Sequence, residues 1–352
     1  AKLKGQIRIS GSKNASLPIL AATLLSNKKI SLTNLPRVKD VETMIKLLES
    51  MGSKVKVSKN KNTLVIKNDK KIKTEASYNL MSTMRAGIIV LGPLLARFGK
   101  ARVSSPGGCN IGFRPIDIHL EALKKMGVKY KIIDGYINAN AKNGLVGAKI
   151  KFPKISVGAT ENLMIAACLA KGQTVLSNCA IEPEIKDLSN FLCSIGAKIV
   201  WTGRRQVKII GVKTFKQSNY KIMFDRIEAG TMLIAGAINQ GNLKITGIES
   251  SILETEIDLL KKIGAKINQK KNEIIIKGNK KIKNINIKTS PYPGVATDIQ
   301  AQLMVLLCKA NKRSTIKEDI FENRFQSIPE LKRMNAKIEV KGNQAIIEGN
   351  TI

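Results

Sequence analysis

The stretch LLESMGSKVKV, residues 47–57, decides the fold, because four later stretches repeat its pattern. The other copies are ALKKMGVKYKI, FLCSIGAKIVW, LLKKIGAKINQ and ELKRMNAKIEV, with turn residues at Gly127, Gly196, Gly264 and Asn335 after the first at Gly52. These turn residues lie 75, 69, 68 and 71 positions apart. Each follows a helical pattern, suits the left-handed end of a helix, and precedes an alternating strand and a further short strand. The spacing predicts a repeating unit of helix, cap and hairpin.

A second pattern alternates with the first and predicts buried helices. It opens with NASLPILAATLLSNKKISLTNL at residues 14–35, and further copies begin near Met84, Ala159, Ile227 and Asp298. These segments are rich in small and aliphatic residues on every side, which is typical of helices that are covered all round. The two patterns together predict an α/β fold of repeated units, with helices inside and sheets outside.

Length and composition narrow the class of protein. A chain of 352 residues favours two domains. Its 60 Lys and Arg against 26 Asp and Glu give a net charge of +34, but the lysines are spread along the chain with only 4% aromatic residues, so we expect neither nucleic acid nor membrane as a partner. The five cysteines form no C-x-x-C pair, and the apolar runs are short, so we expect a cytoplasmic protein without a disulfide framework or zinc site.

The segment PGGCNIGFRPIDIH, residues 106–119, carries the clearest chemical signal. Cys109 follows two glycines, which allow a loop to change conformation, and Arg114 follows five residues later. A nearby guanidinium lowers the pKa of a thiol and binds phosphate or carboxylate groups. The spacing leaves two interpretations open, a reactive cysteine or an ordinary loop thiol.

This segment, together with GSKNASLPIL at the start of the chain and FENRF near residue 323, resembles the enolpyruvyl transferases, and specifically the UDP-N-acetylglucosamine 1-carboxyvinyltransferases. The resemblance covers the whole chain. It implies a two-domain inverse α/β barrel and transfer of the enolpyruvyl group of phosphoenolpyruvate to the 3-hydroxyl of UDP-N-acetylglucosamine, the first committed step of peptidoglycan precursor synthesis. It implies no metal or other cofactor, and it marks Cys109 as the thiol that fosfomycin alkylates.

The resemblance also implies roles for individual residues. Asp298 would take the proton from the sugar hydroxyl and Cys109 would protonate the methylene carbon, as the two catalytic groups. Lys13 and Arg114 would contact phosphoenolpyruvate, and Asn14 and Arg85 the UDP-sugar. The remaining substrate-binding residues would be Pro115, Ile116, Asp117, Ile118, His119, Lys154, Ser156, Val157, Gly158, Ile320 and Arg324.

The five units divide unequally between two domains. We predict one domain of three units at residues 13–223, and a second built from residues 1–12 and 224–352 with only two units, so that the second domain is incomplete by one repeat. An alternative to full catalysis is therefore a catalytically impaired relative that still binds UDP-sugar.

Overall fold

The computed structural model describes residues 2–59, 62–69, 71–76, 78–81, 84–104 and 116–351, and the side chain of Arg85 is not described. The α-helices of this part are α1 Lys13–Ala22, α2 Lys39–Ser50, α3 Tyr78–Met81, α4 Leu91–Phe98, α5 Asp117–Lys125, α6 Val157–Ala167, α7 Pro183–Ser194, α8 Arg226–Ile238, α9 Glu254–Lys262, α10 Gln300–Leu307 and α11 Ile328–Arg333. Short 3-10 helices cover Thr23–Leu25, Arg85–Val90, Ser250–Leu253 and Thr297–Ile299.

The strands are short and regularly spaced along the chain. They are β1 Lys4–Arg8, β2 Ile30–Thr33, β3 Lys54–Val57, β4 Thr63–Lys67, β5 Glu75–Ala76, β6 Lys100–Ser104, β7 Lys129–Ile133, β8 Tyr136–Asn140, β9 Lys149–Lys151, β10 Gln173–Ser177, β11 Lys198–Gly203, β12 Gln206–Ile210, β13 Ser218–Lys221, β14 Asn242–Thr246, β15 Lys266–Lys270, β16 Glu273–Lys277, β17 Asn286–Lys288, β18 Ser314–Lys317, β19 Ile338–Lys341 and β20 Gln344–Ile347.

These strands form five four-stranded sheets of identical design within the described residues. The orders are β13-β2-β4-β3, β5-β6-β8-β7, β9-β10-β12-β11, β1-β14-β16-β15 and β17-β18-β20-β19. In each sheet the first strand runs parallel to the second, while the other two form an antiparallel hairpin beside it. In the sheet β1-β14-β16-β15, every second residue of β14 and β16 is buried and the residues between are not, so this sheet has one covered face.

The repeat predicted from the sequence is confirmed at its turns. Gly52, Gly127, Gly196, Gly264 and Asn335 have φ values of 104°, 91°, 108°, 106° and 69°, and each stands directly before a strand pair. The left-handed region is open to glycine at little cost and is tolerated by asparagine, so the residue type at the helix end specifies the turn. The α/β fold class and the hairpins after each turn follow as predicted.

Contacts divide the chain into two compact units, which we call the larger and the smaller unit. The larger unit comprises described residues from 11–104 and 116–223 and holds three of the sheets; the smaller unit comprises residues 2–10 and 224–351 and holds two. The domain limits at residues 13 and 223 stay a prediction.

The predicted interior helices are confirmed in the larger unit. In α1 every residue from Ala15 to Ala22 is buried, and in α6 every residue from Ala159 to Ala167 is buried. Their apolar side chains join one hydrophobic core with the covered faces of the three sheets. Burial of aliphatic side chains contributes roughly 25 cal/mol per Å² of apolar surface, so these helices hold the larger unit together.

The helix expected near Met84 differs from its prediction, because it begins as a 3-10 helix and becomes α-helical only at Leu91. The side-chain amide of Asn162 inserts at this point: its Oδ1 accepts from the N–H of Gly92 at 2.7 Å, and its Nδ2 donates to the carbonyl of Ile88 at 3.2 Å. These two backbone groups would otherwise bond to each other in an α-helix. Pro93, which has no N–H, prevents the next such bond.

Candidate active site

The N-terminus of α1 carries Lys13 and Asn14. Ser12 caps the helix, since its side chain accepts from the N–H of Ala15 at 3.2 Å. Lys13 Nζ lies 3.2 Å from Asp40 Oδ2, and both side chains are about two-fifths exposed at 43% and 41%. The carboxylate offsets the unfavourable position of a cation at a helix N-terminus and holds it at the surface, where it can contact an anion.

The N-terminus of α6 carries the second set of predicted residues. Ser156 caps this helix by accepting from the N–H of Ala159 at 3.3 Å, while Lys154 and Val157 are exposed. The first N–H groups of a helix have no partner within it, so the amides of Val157 and Gly158 are available to an acceptor. The helix dipole adds to this preference for negative charge.

Helix α5 positions the third set. Ile116 stands at its N-cap, Asp117 is exposed in its first turn, and Ile118 is only 7% exposed and belongs to the hydrophobic core. Ile118 therefore supports the segment from inside. His119 is 6% exposed and lies against Gly158, where a Cβ would stand 3.4 Å from His119 Cε1 and 3.5 Å from Nε2.

Burial controls the protonation of His119. Loss of water contact lowers its pKa to about 4, and the opposing field of Asp117 only partly compensates. Its Nδ1 lies 3.0 Å from Nδ2 of Asn162, the same amide that interrupts the helix at Leu91. At neutral pH His119 is therefore an uncharged imidazole.

In the smaller unit, Asp298 and Arg324 are brought together. Arg324 Nη2 donates to Asp298 Oδ1 at 2.8 Å, and its Nε donates to the carbonyl of Thr297 at 3.3 Å. The carboxyl side chain is 40% exposed, whereas the guanidinium side chain is 19% exposed. Asp298 is thus oriented by one oxygen while remaining accessible to a ligand.

Glu318 organises the same region and was not predicted from the sequence. It is only 4% exposed, and its Oε1 accepts from the N–H groups of Ile320 at 2.8 Å and Phe321 at 3.2 Å. Its Oε2 accepts from Thr297 Oγ1 at 2.8 Å. One carboxylate therefore fixes both the residue before Asp298 and the backbone at Ile320.

Asn162 was also not predicted from the sequence, although the sequence contains a signal for it. It is a lone amide in the apolar helix segment 162–167 and is completely buried. Buried polar groups in such a setting are nearly always hydrogen-bonded, so a search for polar residues in interior helices would have found it. Glu318 offers no comparable pattern.

Some predicted residues are not located by the structure. Cys109, Arg114 and Pro115 lie outside the described residues, and of Arg85 only the backbone position is known, at the start of the 3-10 helix Arg85–Val90. No cluster of three or more His, Cys, Asp or Glu side chains suited to a metal ion occurs in the described part of the chain. Among its helices, none combines the length and hydrophobicity that crossing a bilayer requires.

In comparisons with known sequences, one family model and several named proteins match nearly the whole chain. The family model described as EPSP synthase (3-phosphoshikimate 1-carboxyvinyltransferase) matches residues 1–352. A UDP-N-acetylglucosamine 1-carboxyvinyltransferase of Pelagibacter ubique is 72% identical over 350 residues, which is 99% of this chain and 84% of that protein. Proteins of the same name from Trichlorobacter lovleyi and Rickettsia felis are 48% and 46% identical, and this chain covers 83% of each.

Solved structures share the fold at much lower identity. The enolpyruvyl transferase NikO from Streptomyces tendae superposes with a TM-score of 0.88 at 20% identity, covering 99% of this chain and 82% of that one. EPSP synthase from Acinetobacter baumannii gives a TM-score of 0.75 at 18% identity, with 100% and 83% covered. The enolpyruvyl transferase fold expected from the sequence is confirmed.

Proposed function

Because this chain belongs to the EPSP synthase family, within its branch of UDP-N-acetylglucosamine 1-carboxyvinyltransferases, we propose that it transfers the enolpyruvyl group of phosphoenolpyruvate to the 3-hydroxyl of UDP-N-acetylglucosamine and releases phosphate. This is the committing step of peptidoglycan precursor synthesis. The names of the relatives give no support to the alternative of a protein that only binds UDP-sugar.

The observation that carries the chemistry is the Asp298–Arg324 pair. A carboxylate held at 2.8 Å by a guanidinium, yet 40% exposed, suits a general base that needs a defined direction and access to a hydroxyl. Asp298 takes the proton of the sugar hydroxyl while the hydroxyl oxygen bonds to C2 of phosphoenolpyruvate, and Cys109 gives a proton to C3. The tetrahedral product then loses phosphate and a proton from C3, which restores the double bond.

Cations and amides of the larger unit serve the anionic substrates. Lys13 and Arg114 contact phosphoenolpyruvate. The UDP-sugar is bound by Asn14, Arg85, Lys154 and the segments 115–119 and 156–158. Ile320 and Arg324 of the smaller unit also bind it. Fixed donors around groups that carry or develop negative charge stabilise the transition state without reorganisation at the moment of reaction.

A phosphate-release assay tests the proposal. Purified chain should release phosphate from phosphoenolpyruvate only when UDP-N-acetylglucosamine is added, and Asp298→Asn should lower kcat about 100- to 10,000-fold. Asp258→Asn, an exposed acid on α9 of the same unit, is the matched control and should leave kcat unchanged. The absence of phosphate release from well-folded chain at saturating substrates would refute the proposed function.

The role of Cys109 is tested separately. Cys109→Ala and pre-incubation with fosfomycin should each abolish turnover, because both remove the thiol that donates the proton. Cys193→Ala changes the exposed thiol of α7 instead and should stay fully active. If fosfomycin labels Cys193 and not Cys109, the assignment of the acid is wrong.

We also propose a cytoplasmic location. Cys168, Cys179, Cys193 and Cys308 are free thiols, and reduced cysteines are the usual state in the cytoplasm. Cell fractionation with an antibody to the chain would test this, and enrichment in a periplasmic fraction would contradict it.

A further inference from the structure

The single histidine of this chain contacts the side-chain amide of Asn162, which makes three hydrogen bonds. Asn162 Oδ1 accepts from Gly92 N–H at 2.7 Å, and Asn162 Nδ2 donates to the Ile88 carbonyl at 3.2 Å. A backbone N–H can only donate and a backbone carbonyl can only accept. The orientation of the Asn162 amide is therefore fixed by partners whose polarity cannot change.

This orientation determines where the proton of His119 sits. Asn162 Nδ2 also lies 3.0 Å from His119 Nδ1, and an amide nitrogen has only hydrogens to offer. Nδ1 must accept, so the proton of the neutral ring is on Nε2. A proton on Nδ1 would face the amide hydrogens, which disfavours both the other tautomer and the charged ring.

The protonated edge of the ring points to the start of α6. His119 Nε2 would lie 3.5 Å from a Cβ at Gly158, beside the first amides of that helix. Burial, which lowers the pKa of His119 to about 4, keeps the ring uncharged at neutral pH. Nε2–H and the helix amides together form a set of neutral donors.

We infer that Asn162 is a positioning residue that fixes His119 in the Nε2–H form, so that His119 donates a hydrogen bond to an oxygen of the UDP-sugar. The second half of this inference rests on the proposed function, whereas the first half concerns the chain alone. Asn162 is completely buried, and its side-chain amide bonds His119, Gly92 and Ile88. The same amide also contacts, at Ile88, the 3-10 helix that begins at Arg85, a second predicted UDP-sugar residue.

Nitrogen NMR of the intact chain labelled with ¹⁵N-histidine tests the first half. His119 is the only histidine, so the spectrum contains two imidazole nitrogens that need no assignment by mutation. At pH 7 we expect a hydrogen on Nε2 and none on Nδ1. A hydrogen on Nδ1 in the free protein would overturn the inference.

Asn162→Asp is the informative variant. A carboxylate can still accept from Gly92 N–H, but it draws the imidazole proton to Nδ1 and raises the pKa of His119. The matched control is Asn68→Asp, because Asn68 is also fully buried and its Nδ2 also donates to a backbone carbonyl, that of Thr23 at 2.7 Å. This control has the general destabilisation that any buried carboxyl group causes, and it should leave the spectrum of His119 unchanged.

Steady-state kinetics test the second half. Asn162→Asp should raise the KM for UDP-N-acetylglucosamine roughly 10-fold or more, which is the effect of losing one good hydrogen bond, and should change the KM for phosphoenolpyruvate little. In a His119→Gln background, where the side chain has no tautomers, Asn162→Asp should raise the KM for UDP-N-acetylglucosamine much less. A purely structural role predicts loss of active protein with neither KM changed.

The outcomes separate the inference from the proposed function. If phosphate release is absent but the proton sits on Nε2 and moves in Asn162→Asp, the proposed function fails and the positioning role of Asn162 stands. If turnover is normal but Nδ1 carries no hydrogen in Asn162→Asp, the inference fails and the proposed function stands.

Discussion

At the scale of the residue, His119 shows how burial determines chemistry. Helix α5 carries its ring into the core, and Gly158 leaves room for the Nε2 edge. The pKa of its imidazole falls to about 4 mainly because burial disfavours the charged form. In the unfolded chain the same ring has its ordinary pKa near 6.5, so protonation favours unfolding.

Stability should consequently fall as the pH drops from about 6.5 towards 4. Between pH 7.5 and 5.0, we expect this one group to lower the free energy of unfolding by about 2 kcal/mol. Urea unfolding of the wild type and of His119→Gln at both pH values measures it, because carboxylates contribute equally to both proteins. Equal losses in the two proteins would show that His119 is not buried in its neutral form.

At the scale of the element, Arg97 joins three segments that are distant in sequence. Its guanidinium lies in the last turn of α4 and donates to the carbonyls of Leu24 at 2.7 Å and of Ser26, Asn68 and Asp69 at 3.2 Å each. Four carbonyls at the end of the first buried helix segment and after β4 are satisfied by one planar side chain. Lysine cannot reproduce this fork.

Arg97→Lys should destabilise the larger unit by roughly 3 kcal/mol, because at least two charge-assisted hydrogen bonds are lost in a half-buried place. Thermal or urea unfolding measures the change. Arg102→Lys is the matched control: its side chain, on β6, is 43% exposed, pairs with Glu75 and stacks on Tyr136, so the substitution should cost about 1 kcal/mol or less. Equal destabilisation by the two substitutions would show that the hydrogen bonds of Arg97 contribute no more to stability than those of an exposed arginine.

The helices and their ends show what sequence patterns can and cannot predict. The turns at Gly52 and Asn335 were predictable, because a left-handed helix end depends on the residue that occupies it. The break before Leu91 was not, since its cause is an amide of another helix, 70 positions from Gly92. The role of Glu318 was missed for the same reason, because it acts on Thr297 through a tertiary contact. Local chemistry predicts elements, whereas positioning residues need the folded chain.

At the scale of the whole molecule, the charge is the dominant feature. The net charge of +34 is carried largely by lysines, and many of them occupy solvent-facing positions of the sheets, as at Lys54 and Lys56 in β3 and Lys129 and Lys131 in β7. Like charges on a folded chain repel one another and destabilise the folded state. Salt screens this repulsion, with a Debye length of about 30 Å at 0.01 M and about 8 Å at 0.15 M.

The unfolding temperature should therefore rise with sodium chloride at low ionic strength. If screening relieves about 1 kcal/mol, the first transition moves up by roughly 3 °C between 0.01 and 0.15 M. Calorimetry in a weakly buffered series measures it, and the slope above 0.3 M, where screening is nearly complete, serves as the baseline for ion-specific effects. An unfolding temperature that is flat or falls below 0.15 M would contradict the expectation.

The pairing of β1 with β14 has a consequence during synthesis. Residues 4–8 lie beside 242–246, whereas the closing strand of the larger unit, β13, needs only residues up to Lys221 to meet β2. At about 5–20 residues per second, the ribosome takes roughly 10 to 50 s to reach the partner of the first strand. The nascent chain can therefore complete the sheets of the larger unit before β14 is synthesised, and β1 has no partner strand until then.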